Sequence, residues 1–129
     1  AVRNSGCDVG SEDTVVLARQ FDYVDTLRAL LRAYLSDGYP SAQKVASLMD
    51  TSVRTLARRL SEFGLTYRAL VDEVRFDAAK DVLLDTDARI GDVARSVGFD
   101  DPAHFSRMFR RIGGLSPREF RIVASGRAE

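Results

Sequence analysis

The sequence predicts an all-α protein of about seven helices, in which a unit of two short helices occurs twice and a long linker helix joins the copies. Three observations support this prediction. Apolar residues recur at helical spacing, a serine, threonine or aspartate precedes most of the helical segments, and glycine or aspartate follows them. No apolar run approaches the ~20 residues that a membrane span requires, so no membrane contact is expected.

Composition divides the 129 residues into a central domain and two tails. We expect residues 1–22 to be a tail or linker remnant, 23–124 to form the domain and 125–129 to be a C-terminal tail. Residues 14–21 fit a short helix or a strand equally well. Cys7 is interpreted as an ordinary tail cysteine, and a single cysteine excludes an internal disulfide, so a cytoplasmic protein is expected.

Four helices are predicted in the first part of the domain. Residues 23–37 form the first, which Gly38 ends. Ser41, Ser52 and Thr66 cap the next three, of which the third extends to about residue 63 and the fourth to about residue 84. On the third helix, the residues expected in the core are Val53, Leu56, Leu60 and Phe63.

The long fourth helix carries a run of acids that we expect to form a solvated face. Arg75 and Lys80 are expected to pair with these acids within the helix. About 19 residues at about 1.5 Å each give a rod of roughly 28 Å. The acids are Asp72, Glu73, Asp77, Asp81 and Asp85.

Three further helices are predicted between residues 90 and 122. Gly98 ends the first, because glycine enters the left-handed region of a sharp turn at no steric cost. Asp101 caps the second, with Pro102 at its first position. Ser116 and Glu119 form a capping box at the start of the third. The expected core residues are Ile90, Val93, Ala94, Val97, Phe105, Phe109 and Ile112.

The two-helix unit of residues 90–112 has an earlier copy. Val45-Ala46 recurs as Val93-Ala94, and Leu56, Arg58 and Leu60 recur as Phe105, Arg107 and Phe109. Asp50 occupies the position of Gly98, which is acceptable because aspartate tolerates the left-handed region better than most residues. Two short helices around a tight turn, the second of them arginine-rich, are typical of a DNA-binding helix-turn-helix.

Each second helix has a face of small residues and arginines beside its apolar stripe. Small residues allow a helix to approach base edges closely, and arginine offers a forked donor suited to guanine or phosphate. In the first copy this face holds Arg54, Ala57, Arg58 and Ser61, and in the second it holds Ala103, Ser106, Arg107 and Arg110.

Charge alone does not indicate a nucleic-acid partner, because 19 basic and 19 acidic residues give a net charge of zero. Two other functional classes compete with DNA binding. An enzyme is disfavoured because there is no phosphate-binding loop, and a lone His104 supports neither a metal site nor a catalytic pair. A protein-binding helical bundle would need an exposed apolar groove, whereas the two faces are small and basic. No cofactor is expected.

The sequence resembles the DNA-binding domain of the AraC/XylS transcription regulators over about residues 24–122. The first group of matching features runs from the second helix of the first unit into the long helix and reads RTL, RRL, a glycine and T-YR. The second group is IGDVARSVGF, FSRMFRR and G-SP-EFR. The resemblance implies a bacterial transcription activator with two helix-turn-helix units whose second helices, about 52–63 and 102–112, enter successive major grooves of double-stranded DNA. Asp50, Ala57 and Ile112 depart from the commoner residues of that family.

Carried over by position, the base-contacting candidates are Arg54, Ala57 and Arg58 in the first unit. The second unit supplies Pro102, Ala103, His104 and Arg107. The phosphate candidates are Ser52, Thr55, Arg110 and Arg111.

The family commonly carries a separate sensor or dimerisation domain, for which residues 1–22 are too short. We therefore interpret the chain as the C-terminal part of a longer effector-responsive regulator. A contact between the acidic face of the long helix and RNA polymerase is a further hypothesis.

Overall fold

The computed structural model describes residues 23–128, with side chains described for residues 23–126. Within this part of the chain there are seven α-helices and no strand, which confirms the all-α prediction. The first, α1, covers residues 23–34 and is followed by a 3-10 turn at Leu35–Asp37. The others are α2 (Ala42–Leu48), α3 (Val53–Ser61), α4 (Tyr67–Asp85), α5 (Ile90–Ser96), α6 (Pro102–Gly113) and α7 (Pro117–Ala128).

Two sequence expectations concern residues beyond or at the edge of this range. The expected tail at residues 1–22, with Cys7 and the undecided stretch 14–21, lies outside the described residues. At the other end, α7 continues to Ala128, into the residues 125–129 that were expected to form a C-terminal tail.

Short polar side chains begin five of the helices, as the sequence predicts. Each accepts a hydrogen bond from a backbone N–H in the first turn, at 3.0–3.1 Å. The Glu119 carboxylate also accepts from the Ser116 N–H at 2.9 Å, which completes the capping box and lowers the pKa of Glu119. The capping residues are Ser41, Ser52, Thr66, Asp101 and Ser116.

The two helix-turn-helix units share the same turn. Asp50 has a φ of +58° and Gly98 a φ of +90°, so both residues are left-handed as predicted. In the first unit the Thr51 N–H donates to the Ala46 carbonyl at 2.9 Å, and in the second the Phe99 N–H donates to the Ala94 carbonyl at 2.9 Å. This is the hydrogen bond of a Schellman C-cap, and its recurrence confirms the internal repeat.

Helix α4 lies at the centre and packs against α5, α6 and α7. The aromatic rings of Phe105 and Phe109 are fully buried, and Phe109 lies 4.7 Å from Phe76 and 5.6 Å from Phe120 between ring centroids. Burying rings of this size supplies much of the apolar area removed from water. The core contribution of α4 comes from Leu70, Val71, Val74, Ala78, Ala79 and Leu83.

Two residues expected in the core are exposed, and both stand at helix ends. Val53 is 42% exposed as the first residue of α3, one turn before the buried Leu56. Ile112 is 39% exposed in the last turn of α6, where the Phe76 ring packs against the backbone of Gly113. Both residues lie on the apolar stripe of their helix, as the spacing predicts. The core does not reach the start of α3 or the end of α6, so both side chains are exposed.

The acidic face of α4 is solvated as predicted, since Asp77, Asp81 and Asp85 are exposed, but three of its five acids also pair with other helices. Arg28 of α1 contacts Glu73 at 2.8 Å, and Arg32 contacts Asp81. Only the expected pair within the helix between Lys80 and Asp77, at 3.9 Å, is present in the described residues. The ion pairs of Arg28 and Arg32 lie between α1 and α4 and, being exposed, contribute little to stability.

Arg75 is buried, although the sequence suggested a surface pair. Its residue is 5% exposed, and its Nη2 donates to the Gly98 carbonyl at 3.1 Å. The guanidinium lies 4.0 Å from the centroid of Phe99 and 4.9 Å from that of Tyr39. Burial lowers the pKa of Arg75, while the nearby Asp72 charge acts in the opposite direction. One cation therefore joins α4, the turn of the second unit and the segment before α2.

Gly98 also approaches the backbone of the 3-10 turn closely. A Cβ at Gly98 would lie 2.5 Å from the Leu35 carbonyl oxygen and 3.0 Å from that of Gly38. The left-handed φ and this contact both require glycine. The turn of the second unit is thus held directly against the end of the first helical segment.

We expect Gly98→Ala to be more destabilising than Gly114→Ala, although Gly114 has a similar φ of +85°. A Cβ at Gly114 meets no atom within 4 Å, so that control should cost only the left-handed conformation, about 1–2 kcal/mol. At Gly98 the steric overlap should add a further ~1–3 kcal/mol. Urea unfolding of both variants measures the difference, and equal losses would contradict the close approach.

We expect Arg75→Lys to lower the free energy of unfolding by about 1–3 kcal/mol, even though the charge is kept. Lysine cannot stack a planar group on Phe99 while donating to the Gly98 carbonyl. The matched control is Arg32→Lys at an exposed ion pair, where we expect a change within about 0.5 kcal/mol. Denaturant unfolding would refute the role of Arg75 if the two variants were equally stable.

Candidate nucleic-acid interface

Helix α3 presents an exposed face made of three of the predicted base-contacting residues. Arg54 and Ala57 are exposed, and the Arg58 side chain is 63% exposed. Glu62 lies 3.8 Å from Arg58, but an exposed pair of this kind contributes little and leaves the guanidinium available. The opposite face of the same helix is buried through Leu56 and Leu60.

Ser52 and Thr55, the phosphate candidates of the first unit, interact with each other at the start of α3. The Ser52 Oγ accepts from the Thr55 N–H at 3.1 Å and lies 3.1 Å from the Thr55 Oγ1. Both hydroxyls therefore belong to the cap of the helix. Ser52 is exposed, and Thr55 is half-buried.

Helix α6 presents the second set of predicted residues at its N-terminal end. Pro102, Ala103, His104 and Arg107 are all exposed. The ring of His104 packs edge-on against Phe99, with centroids 5.8 Å apart, which fixes it beside the turn. Arg107 has no hydrogen-bond or ion-pair partner among residues 23–126, and it occupies the position equivalent to Arg58.

Arg110 and Arg111 lie in the last turn of α6 and are exposed. The Arg111 Nη2 is 2.8 Å from the Asp72 Oδ2, so this phosphate candidate is held against α4. Arg110 lies near Glu119, whose pKa is lowered first by its hydrogen bonds to Ser116 and further by the Arg110 charge. Sequence reasoning missed the Asp72–Arg111 contact, which joins residues that are 39 positions apart.

An open groove of about 910 Å³ lies between the N-terminal part of α4 and the exposed face of α6. We name it the arginine groove. It brings the predicted His104, Arg107 and Arg111 together with Arg68, which sequence reasoning missed. The only signal for Arg68 was its position one helical turn before Asp72, on the same face of α4. The charged and aromatic lining residues are Tyr39, Arg68, Asp72, Arg75, Phe99, His104, Arg107 and Arg111.

No group of three His, Cys, Asp or Glu side chains within residues 23–126 is placed to hold a metal ion. His104 contacts Phe99 instead of a second potential ligand. None of the helices in the described range is long and apolar enough to cross a bilayer.

Comparison with known sequences matches the region that holds both helix-turn-helix units. A family described as a helix-turn-helix domain matches residues 45–122. The transcriptional activator NphR of a Rhodococcus species is 34% identical over 95 residues, which cover 74% of this chain and 28% of NphR. The transcriptional activator RhaS of an Enterobacter species is 39% identical over 95 residues, covering 70% of this chain and 34% of RhaS. The chain thus spans about a third of these relatives.

Solved structures share the fold. The DNA-binding domain of the transcriptional factor AdpA, determined in complex with a target DNA, has a TM-score of 0.71 and 26% sequence identity. The match covers 81% of this chain and 94% of the AdpA domain.

Proposed function

The chain belongs to the AraC/XylS family of helix-turn-helix transcription regulators, and we propose that it binds duplex DNA by placing α3 and α6 in successive major grooves. Arg54, Ala57 and Arg58 would face base edges in one groove. Pro102, Ala103, His104 and Arg107 would face them in the other. Ser52, Thr55, Arg110 and Arg111 would contact phosphates.

The observation that carries this proposal is the equivalence of Arg58 and Arg107. Each lies on the second helix of its unit, between two buried residues of that helix, and each side chain is exposed. An exposed guanidinium at the same place in both units suits bidentate contact with guanine, the commonest specific contact of arginine with DNA. The DNA complex of the AdpA domain supports the same partner.

The length of α4 indicates how both helices engage one duplex. Its 19 residues give a rod of roughly 28 Å, a little shorter than the ~34 Å between successive major-groove faces. Simultaneous contact then requires either DNA bending or asymmetric engagement of the two helices, at a cost of a few kcal/mol.

Further partners belong to the longer protein that the relatives suggest. The matched region makes up 28% of NphR and 34% of RhaS, and we infer that a sensor or dimerisation domain accompanies it in the cell. A contact between α4 and RNA polymerase would have to use the acids that are not paired with α1 or α6, Asp77 and Asp85. The expected place of action is the cytoplasm, where the DNA lies. The relatives are transcription regulators, a class without catalytic activity.

We expect Arg58→Ala and Arg107→Ala each to cost roughly 1–3 kcal/mol of binding at a cognate site and to relax the sequence preference in their own groove. The site is first obtained by selecting bound duplexes from a random library, and affinities are then measured by fluorescence anisotropy. The control is Arg59→Ala, because Arg59 lies on the same helix but over the Tyr23 ring of α1, at 5.0 Å from its centroid. Unchanged sequence preference in both variants would refute the assignment.

We expect Arg110→Ala to weaken binding to all sequences equally, since a phosphate contact carries no sequence information. The slope of log affinity against log salt should decrease by about 0.9. Titrations at several salt concentrations test this with the cognate duplex and with a scrambled one. A loss confined to the cognate duplex would instead make Arg110 a base contact.

A further inference from the structure

We propose that Arg68 of the linker helix is an additional phosphate contact, and that the arginine groove holds the DNA strand that passes between the two major grooves. The inference rests on the proposed function, and it assigns a DNA contact to a helix outside both recognition helices. Three observations support the inference: the position of Arg68, the positive charge of the arginine groove, and the absence of a partner for the Arg68 side chain among the described residues.

The arginine groove connects the two units in space. Arg68 is the second residue of α4, which begins shortly after α3 ends at Ser61. Across the groove stand Arg107 and Arg111 of α6. One wall is therefore attached to the end of the first recognition helix, and the other is the exposed face of the second. A duplex in contact with both helices presents its intervening phosphates to this space.

The charge of the groove favours an anion. Four arginines line it and Asp72 is the only carboxylate among its lining residues. Arg75 is buried against Gly98, and Arg111, already assigned a phosphate contact above, is paired with Asp72. Arg107 is a candidate for base contact. Arg68 is the remaining cation.

Arg68 is exposed, and its guanidinium has no hydrogen-bond or ion-pair partner among residues 23–126. Thr66, the N-cap of α4, lines the same groove. The positive end of the α4 dipole therefore adds to the attraction for phosphate near Arg68. Together with the arginines, this makes the groove suited to a sugar–phosphate strand, whose charge is evenly repeated and carries no base information.

The test compares Arg68→Ala, Arg68→Lys and the wild-type chain in salt titrations with a selected duplex and a scrambled one. We expect Arg68→Ala to reduce the slope of log affinity against log salt by about 0.9, which corresponds to about an eightfold loss at 0.1 M salt relative to 1 M. The loss should be equal for both duplexes. Arg68→Lys should retain the slope, because a phosphate contact needs the charge and not the forked geometry.

The control is Arg32→Ala, which removes one positive charge from an exposed pair on α1 outside the groove. It should leave the slope unchanged, and circular dichroism checks that all variants are folded. Phosphate-ethylation interference locates the contact. Interference at a phosphate between the two major-groove segments should be present with the wild type and lost with Arg68→Ala.

The outcomes separate this inference from the proposed function. If the wild type binds a selected duplex but Arg68→Ala retains the same slope and interference pattern, the inference is wrong and the function stands. A loss confined to the selected duplex would make Arg68 a base contact and would also overturn it. If the wild type selects no duplex at all, the proposed function fails and the inference fails with it.

Discussion

The arrangement of the two helix-turn-helix units depends on one buried cation. The side chain of Arg75, in the middle of α4, donates to the carbonyl of Gly98, and its guanidinium stacks on the ring of Phe99. A buried charge is costly unless it is well partnered, so this guanidinium is favourable only while the turn, the ring and the linker helix keep their positions. Burial lowers the pKa of Arg75, and the hydrogen bond to the Gly98 carbonyl fixes the second unit on α4.

Other contacts join α4 to α1 and to the segment that precedes the first unit. The Tyr67 hydroxyl, at the start of α4, donates to the Pro40 carbonyl at 2.5 Å, just before α2. Arg28 and Arg32 tie α1 to the acids of α4. Both α1 and the segment before α2 therefore contact the linker helix. If α3 and α6 keep this arrangement in the proposed DNA complex, two half-sites can be contacted at one spacing only, unless the DNA itself deforms.

Features that depend on a few neighbouring residues could be predicted from the sequence. The caps at Ser52 and Asp101, the left-handed Asp50 and the buried stripe of Phe105 and Phe109 all follow from local geometry. The exposed arginine faces followed from the same helical spacing. These predictions also located the expected recognition helices.

The missed features are contacts between distant parts of the chain. The pairs Arg28–Glu73 and Arg111–Asp72 join residues 45 and 39 positions apart, and no local pattern marks them. The sequence suggested a surface position for Arg75, because the residues that bury it, Gly98 and Phe99, lie in the turn of the second unit. Arg68 was missed for the same reason, since its groove exists only once α6 lies beside α4. The tight approach at Gly98 has one more consequence, which is unequal mutational tolerance. A side chain already occupies the equivalent turn position of the first unit, so evolution or an engineer can vary one copy of this turn while the other is fixed by the backbone beside it.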